Sequence, residues 1–470
     1  MNKQEYDLCI VGAGIIGLYL AEQIPKNKKI LFLEKGSCHS YLDSIQLNKE
    51  SSESLRSNIQ QVGPLFEVNH WEGDRHFLSF MRFSLLGGTA NFWGGESLIL
   101  SKSEYADALG WNGDTHYTKY INQCIRALNY LNKNINEIKN IKECEIYEDK
   151  FYYAKNFSIR NKLKKILNDK DGNVDIIYKA NVIEFDNESI TYLKEDGTFN
   201  RINAKKFVIS NGGIESVKLL MQNSRYSKIE AMGSGYEEVL HGQVGWIPDH
   251  ISHIKSSNLI QDNKLCIRGR VQFQGKKYSY VTRFESAVRF ERIKTWTRNL
   301  YRTILFSSYR RNKINIGIDK FFYNKIKVWL CIQGYGYSSD NKIYTGNDKD
   351  KFGSKRIRIN WSSRINFNEL IPVILDQVNN YLSETGRPEI VAFVSNEENK
   401  LGMLHGGAHM TGGMGDAETR KSIINTNYSL NAYPNIYICS SALYTRAPAA
   451  NLTLTTMTIA EEIAMQINLN

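Results

Sequence analysis

The sequence has no hydrophobic run long enough to cross a bilayer. Its one early candidate, residues 8–21, is interrupted by glycines and closed by Glu22, short of the roughly 20 apolar residues that a spanning helix needs. A secretory signal is not expected either, because no basic stretch and small-residue cleavage site flank that run in the required order. Cysteine is sparse: Cys9, Cys38, Cys124, Cys144, Cys266, Cys331 and Cys439 are odd in number and scattered, with no Cys-x-x-Cys. That excludes a disulfide-stapled scaffold and points to a reducing cytoplasm. Cys38-His39 has no second ligand pair nearby, so no metal site is expected. Internal repeats and low-complexity tracts are absent too, which excludes a repeat array.

At 470 residues the chain suits two domains, or one large domain with insertions. Its net charge of +11 is unevenly spread: residues 289–327 hold eleven Lys or Arg against Glu291 and Asp319 alone. Phe290, Trp296, Leu300, Tyr301, Phe306 and Tyr309 are interleaved with them. Three uses fit this segment: peripheral docking on an anionic membrane surface, contact with a phosphorylated or lipid-linked substrate, or a solvated helix face packed on the core. No nucleic-acid-binding motif accompanies the charge, and nucleic acid is not an expected partner.

Glycine carries the first positive signal. Asp7-Leu8-Cys9-Ile10-Val11 reads as a strand, Gly12-Ala13-Gly14-Ile15-Ile16-Gly17 as a turn into a helix, and Ile30-Leu31-Phe32-Leu33 as a second strand ending on Glu34-Lys35. Gly12 allows the sharp turn, Gly14 leaves room for a pyrophosphate, and Gly17 lets the helix lie close on the sheet. The N–H groups of Ile15 and Ile16 open the helix and face the phosphates. Glu34 follows Gly14 by twenty positions, the usual distance for a carboxylate that binds an adenosine ribose. A dinucleotide site is expected here.

A second glycine cluster, Arg82 to Gly95, surrounds Trp93 and reads as backbone held against a flat ligand. Residues 115–148 carry a charged helical pattern with Ile121, Cys124, Ile125, Leu128 and Leu131 on one face. Strand patterns return at 175–178, 180–185, 189–193 and 206–210, the last running into Asn211-Gly212-Gly213 and a helix over 214–223. Residues 252–393 alternate short aromatic-rich strands with turns at Gln274-Gly275-Lys276 and Ser338-Ser339-Asp340-Asn341. The end of the chain offers a glycine-rich run around His405 and His409, a strand over 435–439, a loop to Asn451, and a closing helix over 452–466.

In order and spacing these pieces resemble the glucose-methanol-choline (GMC) family of FAD-dependent oxidoreductases along the whole chain. The match is weakest at residues 40–70 and 251–400. The resemblance implies an α/β protein, α+β overall: a two-dinucleotide-binding-domain flavoprotein with a Rossmann-like FAD domain and an antiparallel-sheet substrate domain. On that plan, 1–110 and 174–251 are two parts of the FAD domain and 111–173 is a helical segment packed on it. Residues 252–400 then bind substrate, and 401–470 return with the catalytic residues. The family's flavin-side loop falls on Arg82, Gly87, Gly88, Thr89, Asn91, Trp93 and Gly94, and its adenine segment on Ala180-Asn181-Val182. Asn211-Gly212-Gly213-Ile214-Glu215-Ser216 resembles its Gly-Gly-x-Glu-Ser strand end, and Val244-Gly245 with Asp249-His250 its Val-Gly...Asp-His turn. Ser441, Leu452 and Thr453 lie on its C-terminal signature, at the flavin edge.

The family's base lies in His-x-x-Gly-Thr/Gly-x-x-Met-Gly. His409-Met410-Thr411-Gly412-Gly413 matches the first half, but Met414-Gly415 arrive two residues early. His409 is therefore the preferred base, with His405 next. The second catalytic position falls on Asn451, whose usual following proline is Leu452 here; Asn can hold the substrate oxygen and cap the last helix. Some members attach FAD covalently through a His beside the loop Trp. Phe92 stands there, so a non-covalent FAD is expected.

The resemblance thus implies oxidation of a small-molecule alcohol, a sugar or glycoside hydroxyl being the leading class. Oxygen, a quinone or a protein would take up the electrons. Tyr280, Trp296, Trp329 and Tyr335 are candidates for a substrate wall. Alternatives are oxidation or desaturation of a steroid-like or lipid substrate, and a non-catalytic flavin-binding protein. The expected location is cytoplasmic, with membrane contact through 289–327 as a further option.

Overall fold

The computed structural model describes residues 6–38, 84–92, 95–110, 114–131, 135–138, 144–154, 157–169, 172–237, 239–248, 265–285, 325–332, 341–349, 354–360, 367–392, 405–406, 409 and 411–469. The chain opens with strand β1 (Tyr6–Val11), helix α1 (Ile15–Glu22) and strand β2 (Ile30–Leu33). All of β2 and all of β1 except Asp7 are buried, the mark of strands covered on both faces. Next come β3 (Glu96–Ser97), α2 (Lys102–Leu109), α3 (Asp114–Tyr130), β4 (Ile146–Lys150), β5 (Tyr152–Tyr153) and α4 (Ile159–Leu167). Strands β6 (Val174–Ile177), β7 (Asn181–Phe185), β8 (Ser189–Leu193) and β9 (Phe199–Ile209) lead to α5 (Gly213–Gln222). Four long strands follow: β10 (Leu240–Pro248), β11 (Leu265–Phe273), β12 (Lys276–Glu285) and β13 (Lys325–Ile332). The hairpin β14 (Lys342–Lys349) and β15 (Lys355–Asn360), then α6 (Phe367–Glu384), β16 (Val391–Ala392) and β17 (His405–Gly406), precede α7 (Ala417–Ile423), β18 (Ser429–Leu430), β19 (Tyr433–Ile438) and α8 (Leu452–Leu469).

The first sheet runs β18-β19-β9-β1-β2-β6, with β7 and β8 continuing from β9 as a meander. Its centre is parallel: Val11 pairs with Leu33 on one side and Ile209 on the other, and Ile438 pairs with Ile209. Strands from the two ends of the chain therefore lie two places apart. Helix α8 is buried along most of its length and packs on α1 and α3. Its Glu461 accepts hydrogen bonds from Tyr19 Oη at 3.2 Å and Arg126 Nε at 2.7 Å.

The second sheet is antiparallel, in the order β16-β10-β13-β12-β11-β4, with β17 also on β10. Gln274 and Gly275 both have positive φ, 48° and 75°, which suits a two-residue hairpin between β11 and β12. One face carries Tyr280, whose hydroxyl donates to Gln377 of α6 at 2.9 Å. The other face carries Trp329 beside Arg283, and Arg283 reaches Glu96 at 2.6 Å, just past the second glycine cluster. The sheet is thus held between α6 and the side that carries the second glycine cluster.

Two sequence expectations change. The helix expected over 115–148 ends at Tyr130, and Ile146–Lys150 is the edge strand β4, paired with β11. Its charges are used in pairs rather than solvated: Asp149 meets Arg268, and Glu148 meets Arg387. The second sheet also recruits β10 and β17 from outside 252–400, while that stretch contains the long helix α6. Among the described residues no helix is long and apolar enough to cross a membrane.

Candidate cofactor and active site

The glycine turn lies where the parallel strands end. Gly12 sits at φ +97°, and a side chain there would press on Asn211 Cα at 2.7 Å. A Cβ on Gly17 would stand 2.6 Å from Gly12 O. Gly14 differs: it has extended backbone, and a Cβ on it would meet nothing within 4 Å. The room it leaves is over the start of α1, where buried Ile15 and half-buried Ile16 make the first turn. Gly212, with φ +92°, opens α5 with the same free space, and Asn211 beside it accepts a hydrogen bond from Ser216 Oγ at 2.8 Å. Two helix N-termini, each with a side-chain-free approach, thus meet the carboxyl edge of a parallel sheet, the favourable setting for a pyrophosphate.

The second glycine cluster is joined to the first. Gly87 bridges Gly14, and its N–H donates to Ala13 O at 2.8 Å. Gly88 and Thr89 begin a tight turn, Gly88–Phe92, in which the Asn91 amide donates to Leu86 O and Gly88 O at 2.9 Å each. Asn91 therefore shapes the loop itself. Arg82, Trp93 and Gly94 lie outside the described residues.

Glu34 is buried and bonded to backbone, accepting from Ala13 N–H at 3.0 Å and Gly36 N–H at 2.7 Å. Burial pushes its carboxyl up to about 6 against those two donors and the charge of half-buried Lys35. Ala180 N–H donates to Glu34 O at 2.9 Å, which brings β7 and its half-buried Val182 to the same corner.

The chain's last part reaches the same edge. Cys439 N–H donates to Ile209 O at 2.9 Å, and Gly412 N–H to Ser441 O at 3.1 Å. Asn451 is half-buried immediately before α8, followed by buried Leu452 and half-buried Thr453. His405 pairs with His241 in register and Gly406 with Leu240, whereas Thr411 bridges Glu237. Five steps of chain from Gly406 to Thr411 thus face three from Glu237 to Leu240. His409 falls in this longer stretch, outside regular pairing. Although its surface is not wholly covered, its ring is deep enough for desolvation to push the imidazole down to about 4.

Of the expected substrate wall, Tyr280 is core, fully buried and turned to α6. Trp329 lies on the opposite face, stacked on His241 with ring centroids 6.1 Å apart. Trp296, Tyr335 and nearly all of 289–327 lie outside the described residues. Sequence reasoning missed Glu237, a buried carboxyl between the His409 and Asn451 segments, because a pair of glutamates after a glycine turn follows no catalytic pattern.

A parallel sheet with a glycine turn at its carboxyl edge, joined to an antiparallel sheet covered by one helix, defines a two-domain α/β fold. Solved structures carry the same fold. The chain is similar to pyridoxine 4-oxidase from Mesorbium loti at 12% identity and TM-score 0.61, over 99% of this chain and 100% of that one. It is equally similar to a formate oxidase from Aspergillus oryzae RIB40 studied for FAD modification, at 12% identity and TM-score 0.61 over 100% and 99%. No family model and no curated protein sequence matches it.

Proposed function

We propose that the protein is an FAD-dependent oxidoreductase that oxidises the hydroxyl of a small-molecule alcohol. The observation that carries this reading is the open space above Gly14, beside the bridging Gly87: it is the one place in the turn where a missing side chain makes room for a ligand and not for the protein. Gly14, Gly87, Gly212 and Glu34 would hold the cofactor, without a covalent bond because Phe92 stands where some members of the resembled family have a histidine. Bound FAD would supply a hydride acceptor. Neutral His409 takes the hydroxyl proton, a role worth about 10²–10⁴ in rate. The Asn451 amide donates to the substrate oxygen, and the start of α8 adds about half a positive charge that favours negative charge near it. The two oxidase neighbours, one a pyridoxine oxidase and one a formate oxidase by name, support oxidation of small polar molecules.

The test is to mix the purified protein anaerobically with sugars, pyridoxine-like alcohols, sterols and simple alcohols and follow the flavin's visible band. Bleaching by an alcohol identifies the substrate class; bleaching by sterols alone moves the substrate to lipids. A flavin that no compound bleaches sinks the enzymatic reading. His409→Ala should keep FAD and lose reduction by about 10²-fold or more, and His405→Ala should not. The opposite pattern makes His405 the base.

A further inference from the structure

Glu237 is 1% exposed, and the proposed chemistry leaves it without a role. Its backbone exchanges two hydrogen bonds with Thr411, each 3.0 Å, and its carbonyl also accepts from Thr411 Oγ1 at 3.3 Å. Its side chain faces another segment: Oε2 accepts the N–H of Ala447 at 2.6 Å. Thr411 is two residues past His409, and Ala447 is four before Asn451. We propose that Glu237 is a positioning residue, whose backbone holds the His409 segment and whose side chain holds the Asn451 loop, so that one residue sets the distance between the two. This rests on the reading of His409 and Asn451 as the pair that handles the substrate hydroxyl.

The protonation state follows from the same surroundings. Oε1 is buried with no hydrogen-bond partner, a costly place for a charged oxygen. Burial pushes the carboxyl up to about 8, opposed by the Ala447 N–H and the charge of Arg446 on the same loop. From the strand side it meets Thr411, which does not titrate. At neutral pH the clamp is therefore mostly a neutral acid, and it ionises as pH rises past about 8. The charged form accepts the Ala447 N–H more strongly, but it leaves a charged Oε1 without a partner, which draws water into the seam and disturbs its spacing.

Two variants and two kinds of readout test this. Glu237→Gln keeps an oxygen for Ala447 N–H and cannot ionise; Glu237→Ala removes the acceptor. Both should bind FAD. With an alcohol that bleaches the wild type, Glu237→Ala should slow flavin reduction at saturation by about 10²-fold, the cost of misplacing reacting groups by about 1 Å, with little change in the alcohol's Kd. Glu237→Gln should restore the rate at neutral pH and abolish the decline above about pH 8. A wild-type rate in Glu237→Ala, or an alkaline decline that survives in Glu237→Gln, overturns the proposal. If no alcohol bleaches the wild type, the enzymatic reading fails and the clamp is judged by amide hydrogen exchange. Residues 405–415 and 440–451 should then lose protection together in Glu237→Ala and regain it in Glu237→Gln; loss in one segment alone, or in neither, refutes it. Should Glu237→Ala not fold, an infrared carboxylic-acid band present at neutral pH and absent from Glu237→Gln decides, and its absence from the wild type refutes a neutral clamp.

Discussion

Gly14 and Gly17 stand three residues apart in one turn and exclude side chains for opposite reasons. At Gly17 the obstacle is the protein: Gly12 O at 2.6 Å, Ser210 Oγ at 3.0 Å and Ile10 Cγ2 at 3.1 Å. At Gly14 no protein atom objects. Gly14→Val should therefore fold with close to wild-type apoprotein stability and emerge colourless, whereas Gly17→Val should lose about 1–3 kcal/mol by overpacking. Denaturant unfolding of the flavin-free proteins, with flavin absorbance per mole of protein, checks both; a yellow Gly14→Val refutes the assignment of that turn. His409 gives the second residue-scale expectation. Its imidazole is held down to about 4 by desolvation, below the ordinary histidine range near 6.5. The unfolded chain thus binds the proton first as pH falls, so the stability this ring contributes is present above about 6.5 and lost toward 4. The same shift keeps the proposed base neutral in mild acid: the acidic limb of flavin reduction against pH should fall near 4, and a limb near 6.5 would show a solvated ring.

At the scale of elements, how much the sequence reveals depends on whether a segment's partners are local. The β1-α1-β2 unit is legible because three glycines, an apolar strand and Glu34 lie within one short stretch, each required by its neighbours. Helix α5 and strand β19 appear within two residues of their expected bounds for the same reason, since apolar runs bounded by turn residues define both. The misread segment is β4. Glu148 closes a stretch that reads as a charged helix, and only Arg268 and Arg387, more than a hundred residues downstream, give Asp149 and Glu148 their partners. Helix α6 was readable, since Leu370, Ile371, Ile374, Leu375, Val378 and Leu382 repeat at helical spacing, but it stands amid strand patterns. Histidine and asparagine in the candidate site could be picked out by motif; Glu237 could not, because its importance comes from two segments that are distant in sequence and touch only in the fold.

For the whole molecule, the candidate site lies at the seam between two sheets, so what fixes one sheet on the other fixes the site. Arg268 of β11 is a deeply buried tie from the antiparallel sheet to α2. Its side chain is 1% exposed and pairs with Glu104 of α2 and with Asp149 of β4 at 2.6 Å, and it donates to Ile99 O at 2.7 Å. Glu104 also closes the capping box of α2 on Ser101. Desolvation works against the guanidinium's charge, but Glu104, Tyr147 and Asp149 hold its pKa well above the ordinary range, so it is charged at every working pH. Removing one partner from such a buried network costs more than removing the network, because the charges left behind stay out of water. Arg268→Met should therefore destabilise the protein by about 3–5 kcal/mol, while Arg268→Met combined with Glu104→Gln and Asp149→Asn should recover most of that loss. Chemical denaturation of the three proteins measures this directly. If the triple variant is no more stable than Arg268→Met, the arginine acts by packing and by its bond to Ile99 O and not by neutralising two acids. Recovery with normal flavin content but slowed reduction would show that the ion network aligns the two sheets across the seam beyond merely joining them.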